Sequence, residues 1–146
     1  MVVFFFLVGA KVYALEDGVY TIHSSINNNY VLDINGGVAK NGSNVQLYTS
    51  NGTNAQKFKV KRINNEEYEI FSLINEKYVF EVRNGVFSKG SNVWLYEKNN
   101  TNAQHWILKE QGNNLYSICS YNRDYCLDLN SAVASNYTNI QLYKYN

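Results

Sequence analysis

The stretch GSNVQLYTSNGTNAQKF (residues 42–58) returns as GSNVWLYEKNNTNAQHW (residues 90–106) and begins a third time as YTNIQLYKYN (residues 137–146). Self-similarity at a fixed spacing is the mark of a fold built from repeated units. Working outward, Tyr20 aligns with Tyr68 and Tyr116, and Ile22 with Ile70 and Ile118. Tyr30 meets Tyr78 and, after a one-residue deletion, Tyr125. Acidic side chains recur at Asp33, Glu81 and Asp128, and tyrosines at Tyr48, Tyr96 and Tyr143. The first two copies agree at about half of their positions over a period of about 48 residues.

Each copy reads as short strands separated by turns. VYTIHS alternates, turns through INNN and returns as YVLDI; GG and NGSN precede VQLY, and SNGTN precedes QKFKVK. Alternation bounded by Gly/Asn clusters is strand-and-turn chemistry. Three four-stranded units are too few for a propeller. They predict an all-β chain, a β-trefoil closed on a pseudo-threefold axis, with repeats at about 18–62, 66–110 and 114–146. Closure removes exposed sheet edges. The third repeat lacks its last strand, so unpaired backbone and apolar surface are expected at that seam. Truncation of the record accounts for this, or the apolar VVFFFLVG (residues 2–9) fills the gap; a missing start and a missing end together favour truncation.

Composition narrows the function. Thirteen basic and 12 acidic residues give a formal charge of +1, with the basic residues scattered singly, so no nucleic-acid partner is expected. The abundance of tyrosine (13) and the absence of proline suit strands and asparagine-rich turns. Residues 1–14 differ from the rest. Their apolar run ends in the small-residue spacing Val12-x-Ala14 and resembles the end of a secretory signal cleaved after Ala14. It is too short to span a membrane. It lacks preceding basic residues, which suggests a start upstream of Met1; a buried strand is the alternative. The domain proper is then residues 15–146. Cys119 and Cys126 with two distant histidines offer no metal-site spacing, and no cofactor is implied. In a secreted chain the two cysteines form a disulfide, or they remain a pair of thiols. Because they flank the SYNRDY loop, they are expected close enough for a cross-strand bridge.

The triplets QKF (residues 56–58) and QHW (residues 104–106) resemble the Q-x-W signature of ricin B-type β-trefoil lectins, and the resemblance covers residues 18–146. The order Asp33, Gln46, Tyr48 resembles the family's sugar-site frame, repeated at Asp128, Gln141 and Tyr143. The resemblance implies hydroxyl bonding by Asp33, ring stacking by Tyr48, and support of carboxylate or sugar by Gln46. Such chemistry suits glycans, because carboxylates accept strong hydrogen bonds, aromatic rings pack on pyranose C–H faces, and amides both donate and accept. The family often carries Asn directly before the Gln of Q-x-W. Here Ala55 and Ala103 stand there, with Asn54 and Asn102 one residue earlier, so either the loop carries Asn54 into the site or that bond is missing. Gln56 and Gln104 are expected to bond loop backbone, Phe58 and Trp106 to belong to the core, and His23 and His105 to be exposed strand residues.

The expected function is therefore a secreted, non-catalytic carbohydrate-binding domain for galactose-type or other polysaccharide glycans, either a free lectin or a module attached to a hydrolase or toxin domain. The alternative is a protein-binding trefoil of inhibitor or toxin-complex type. An enzyme is disfavoured, since glycosidases need carboxylates about 5–10 Å apart and the three acidic positions belong to separate repeats. Among the sites the first copy is expected to bind best. The second has Glu81 for Asp and Trp94 for Gln, an indole expected to crowd the carboxylate, and the third lacks one wall.

Overall fold

The computed structural model describes residues 4–6 and 14–144. Among these described residues thirteen strands form one sheet system. The first copy contributes β2 (Gly18–Tyr20), β3 (Ile22–Ser24), β4 (Tyr30–Ile34), β5 (Val45–Thr49) and β6 (Phe58–Asn64). The second contributes β7 (Glu67–Ser72), β8 (Tyr78–Val82), β9 (Val93–Glu97) and β10 (Trp106–Gly112). The third contributes β11 (Leu115–Ser120), β12 (Tyr125–Leu129) and β13 (Ile140–Lys144), and β1 is Phe4–Phe6.

The strand order β2-β6-β7-β10-β11-β1-β3 returns to its starting strand, because β2 and β3 are two halves of one strand broken at Thr21. The result is a closed barrel, capped by the hairpins β4–β5, β8–β9 and β12–β13. This is the expected β-trefoil. The expectation of an open seam is corrected, because β1 pairs antiparallel with both β11 and β3. Phe4 lies opposite Tyr116 and Ser24, as Phe58 lies opposite Tyr20 and Ser72 and Trp106 opposite Tyr68 and Ser120. Phe4–Phe6 thus takes the register of a fourth strand for the third copy. Backbone donors at a sheet edge need partners, and this strand supplies them. Apart from Phe4–Phe6 and Ala14, the segment read as a leader lies outside the described residues.

The core repeats as the sequence does. Ile22, Ile70 and Ile118, together with Leu47, Leu95 and Leu142, are fully buried. Phe58 and Trp106 are core residues, as expected. The Trp106 indole N–H donates to the Phe80 carbonyl (3.1 Å), while Phe58 meets the Phe80 ring edge-to-face. Leu15 is 1% exposed, and its carbonyl accepts from the Tyr68 hydroxyl (2.8 Å), so the first residue after Ala14 already belongs to the packed interior. Cys119 and Cys126 sit directly opposite on β11 and β12 and form a disulfide, packed with Ile107 in a small cluster beside the main core.

The copies are locked together on the threefold axis. The Asn44 amide donates to Asn139, Asn139 to Asn92, and Asn92 to Asn44, each at 2.8 Å. Backbone bonds follow the same cycle: Leu47 N–H to Thr138, Leu95 N–H to Ser43 and Leu142 N–H to Ser91, again 2.8 Å each. Asparagine suits this role because its amide is donor and acceptor at once.

Replacing Asn92 by Ala leaves one donor and one acceptor in the ring without partners. The expected loss is about 1–3 kcal/mol, read as a lower urea midpoint with unchanged slope.

Tyr20, Tyr68 and Tyr116 occupy equivalent buried positions. Burial raises each phenol above its ordinary value of 10.0, that of Tyr116 to about 12, with Glu110 adding to the Tyr116 shift. A raised folded-state pKa means stability that is whole below the unfolded pKa and lost as pH climbs through the folded one. Unfolding is therefore expected to become easier from about pH 10 to 12, and Tyr116→Phe should flatten that decline in pH-dependent urea titrations.

Candidate functional site

Antiparallel register places Asp33 directly opposite Gln46 on β4–β5, and Tyr48 follows two residues on. Side chains alternate along a strand, so Gln46 and Tyr48 share a face. Asp33 is 6% exposed. Its Oδ1 accepts from Gln46 Nε2 (3.1 Å) and its Oδ2 from Gln56 Nε2 (3.0 Å). A carboxylate has about four acceptor positions, so one remains on each oxygen. Asp33 borders a depression of about 560 Å³ lined also by Tyr48, Asn51, Asn54 and Tyr137.

Gln56 bonds loop backbone, as expected, and does more. Its Oε1 accepts from Asn51 N–H (2.7 Å), and its Nε2 reaches the Thr49 carbonyl (3.0 Å) as well as Asp33. A short 3-10 turn, Asn54–Gln56, carries it inward. The same turn leaves Asn54 exposed on the border of the depression, beside the half-buried Ala55.

The second copy corrects an expectation. Trp94 does not crowd Glu81 but replaces the missing amide, its indole N–H donating to Glu81 Oε2 (2.8 Å). Glu81 Oε1 accepts from Gln104 (3.1 Å) and Asn99 (3.4 Å). Three of about four acceptor positions are thus taken. Trp94 is itself occupied, stacked on Tyr96 with the Arg83 guanidinium 5.2 Å from its ring. In the third copy Asp128 is half-buried and accepts from Gln141 (3.3 Å), its one amide donor among the described residues. Asp128, Gln141 and Tyr143 border a depression of about 630 Å³ with Lys89, whose ammonium lies 4.8 Å from the Tyr143 ring centre.

The histidines are half-buried rather than exposed. His23 Nδ1–H donates to the Asn28 carbonyl (2.8 Å), and His105 pairs with Glu67 (2.7 Å). Among the described residues no three His, Cys, Asp or Glu side chains converge as a metal site would require.

The family model described as ricin-type β-trefoil lectin domain-like matches residues 7–85 and 56–143, nearly the whole chain. This chain belongs to that family. No curated protein matches it by sequence. Among solved structures it is similar to the designed threefold-symmetric protein ThreeFoil, with 24% identity, 80% of this chain and 83% of that chain covered, and a TM-score of 0.77. It is also similar to the Macrolepiota procera ricin B-like lectin in complex with lactose, with 16% identity, coverages of 94% and 91%, and a TM-score of 0.72. A third is an exo-β-1,3-galactanase from Clostridium thermocellum, with 20% identity and a TM-score of 0.82. There 91% of this chain matches only 28% of the other. At these identities the structural likeness concerns the fold.

In this ricin-type domain, the structure brings Asp33, Gln46, Tyr48 and Asn54 together in one depression, and Asp128, Gln141 and Tyr143 in another. Sequence reasoning missed Tyr137 and Lys89, which cross from one copy into the site of the next. A signal for Tyr137 was present: it stands at the position of Gly42 and Gly90, where a bulky residue replaces glycine in a repeated turn.

Gln56 is 1% exposed and joins the carboxylate to two loop backbone groups. Gln56→Leu should destabilise the domain by about 2–4 kcal/mol through these orphaned partners, measured as a shift in urea midpoint.

Proposed function

We propose that this chain is a non-catalytic glycan-binding domain whose principal site is that of the first copy. One observation carries the reading: Asp33 is held by two neutral amides, yet keeps an acceptor position on each oxygen beside the Tyr48 ring. Two adjacent sugar hydroxyls would donate there, and the pyranose C–H face would pack on Tyr48. Asn54 on the rim supplies a further amide.

The same accounting ranks the copies. Glu81 has the fewest open acceptor positions and Trp94 is engaged by Tyr96 and Arg83, so the second site is the weakest. Asp128 has open positions but one amide to orient it, and Lys89 covers Tyr143. It ranks between the others. Galactose-type sugars are the first ligands to test, since a similar lectin was solved with lactose. Single-site affinity for a simple sugar is weak in this reading, because a shallow polar site forfeits much of its interaction energy to desolvation. Avidity then comes from several sites on clustered glycans. The partial match to the galactanase supports a module attached to a catalytic or toxin domain.

Secretion belongs to the same proposal, supported by the Cys119–Cys126 disulfide, which suits an oxidising compartment, and by the leader-like residues 1–14, whose cleavage would take β1 out of the barrel. N-terminal sequencing of the exported protein decides it. A chain beginning at Leu15 supports the cleaved leader, whereas one retaining Phe4–Phe6 keeps β1 in its barrel and removes the leader reading.

The binding test uses Asp33→Asn, which keeps the shape of the side chain while removing its charge and one of its two acceptor oxygens. Affinity for lactose, measured by calorimetry, should fall at least about 30-fold, the loss of roughly 2 kcal/mol in charge-assisted bonding. Glu81→Ala should change it little. Binding that survives Asp33→Asn but vanishes in Glu81→Ala would reverse the ranking. Protein partners retained by Asp33→Asn, with no glycan bound by the wild type, would favour the protein-binding alternative.

A further inference from the structure

Gly42, Gly90 and Tyr137 occupy one repeated position, the tip of the turn before β5, β9 and β13. All three have left-handed backbone, with φ of 89°, 85° and 71°. All three donate their N–H to the next copy around the axis: Gly42 to the Leu95 carbonyl (2.9 Å), Gly90 to Leu142 (2.7 Å) and Tyr137 to Leu47 (2.9 Å). The fold thus asks for glycine here, and two copies provide it. A bulky side chain at positive φ is a conformational outlier that folding alone does not favour.

Tyr137 gains no burial in return, being 67% exposed. Its ring instead stands 5.3 Å from that of Tyr48 at 74°, on the border of the depression that contains Asp33, Gln46 and Asn54. The loop carrying it is pinned, because the neighbouring Asn136 accepts from both the N–H (2.7 Å) and the hydroxyl (2.9 Å) of Thr49. The other two sites receive a glycine at this position and have no such second wall. Strain retained at a rigidly held, solvent-facing aromatic beside a ligand-sized depression is a mark of a functional position.

We infer that Tyr137 is a ligand-contacting residue of the first site, making with Tyr48 a right-angled aromatic corner that selects glycans of at least two linked pyranoses. The inference rests on the glycan-binding reading above. The sugar whose hydroxyls reach Asp33 packs on Tyr48. A second, glycosidically linked ring then leaves the carboxylate and meets the Tyr137 face, which a monosaccharide does not need. One site of three therefore reads chain length, and its selectivity depends on a residue from the opposite end of the repeat array.

The test compares wild type, Tyr137→Gly, Tyr137→Phe and Asp33→Asn on a printed array of monosaccharides and di- to tetrasaccharides, followed by calorimetry with galactose and lactose. Tyr137→Gly restores the residue that two copies already carry. Its thermal midpoint, with that of Tyr137→Asn as a second left-handed-tolerant variant, verifies the fold. The expected result is a loss of at least fivefold in affinity for the disaccharide and longer glycans in both variants, with monosaccharide binding within twofold of wild type. Tyr137→Phe should bind as wild type. Unchanged binding of every glycan by Tyr137→Gly, with loss in Asp33→Asn, overturns this inference alone. Equal losses for mono- and disaccharides overturn the chain-length selectivity. A wild type that binds no glycan on the array, or an Asp33→Asn variant that binds them all, overturns the glycan-binding reading and this inference with it.

Discussion

Three asparagine side chains, Asn44, Asn92 and Asn139, close a head-to-tail ring of hydrogen bonds on the axis of the molecule. Each amide gives one bond and takes one, so the ring is complete only when all three copies are in register. Beside it, each third strand is bonded through its leucine N–H and carbonyl to the turn of the preceding copy. The hairpins are consequently interlocked rather than merely adjacent. The interlock also fixes where the functional residues fall: a turn anchored to a neighbour's leucine carries its tip to the neighbour's carboxylate. Tyr137 beside Tyr48 and Lys89 beside Tyr143 are both products of that constraint.

Within this shared frame the copies differ mainly in how many donors engage each acidic side chain. Asp33 has two amides, Glu81 an indole and two amides, and Asp128 one amide among the described residues. Those donors hold the carboxylates in place, but they also compete with any hydroxyl arriving from solution. The favourable condition is intermediate: enough bonds to fix the group, with acceptor positions left over. Asp33 meets it, and the extra methylene of Glu81 brings that carboxylate within reach of donors that fill it.

Much of this was legible in the sequence because it depends on local spacing. The family resemblance pointed Gln46 toward the carboxylate or the sugar, and the register that a hairpin inherits from its turn places Asp33 opposite Gln46 and Asp128 opposite Gln141. The shared period identified the trefoil for the same reason. What escaped depended on groups distant in sequence or on chemistry with two readings. Gln56 reaches Asp33 only because a 3-10 turn folds it back under the hairpin. Trp94 was read by its bulk, whereas its N–H decides its role. The place of β1 depends on pairing between the two ends of the chain. No local pattern distinguishes such a strand from any other short apolar run.

The asparagine ring has the symmetry of a closed trimer, and three separate chains of one copy each would meet its demands equally well. Assembly would then depend on protein concentration, and every change in one subunit would appear three times. Joining the copies end to end makes the encounter intramolecular and frees each from identity with the others. A tyrosine at a left-handed turn tip would impose its strain three times in a trimer of single copies; here it is borne once, at one edge of one site, while the two glycines opposite keep the frame relaxed.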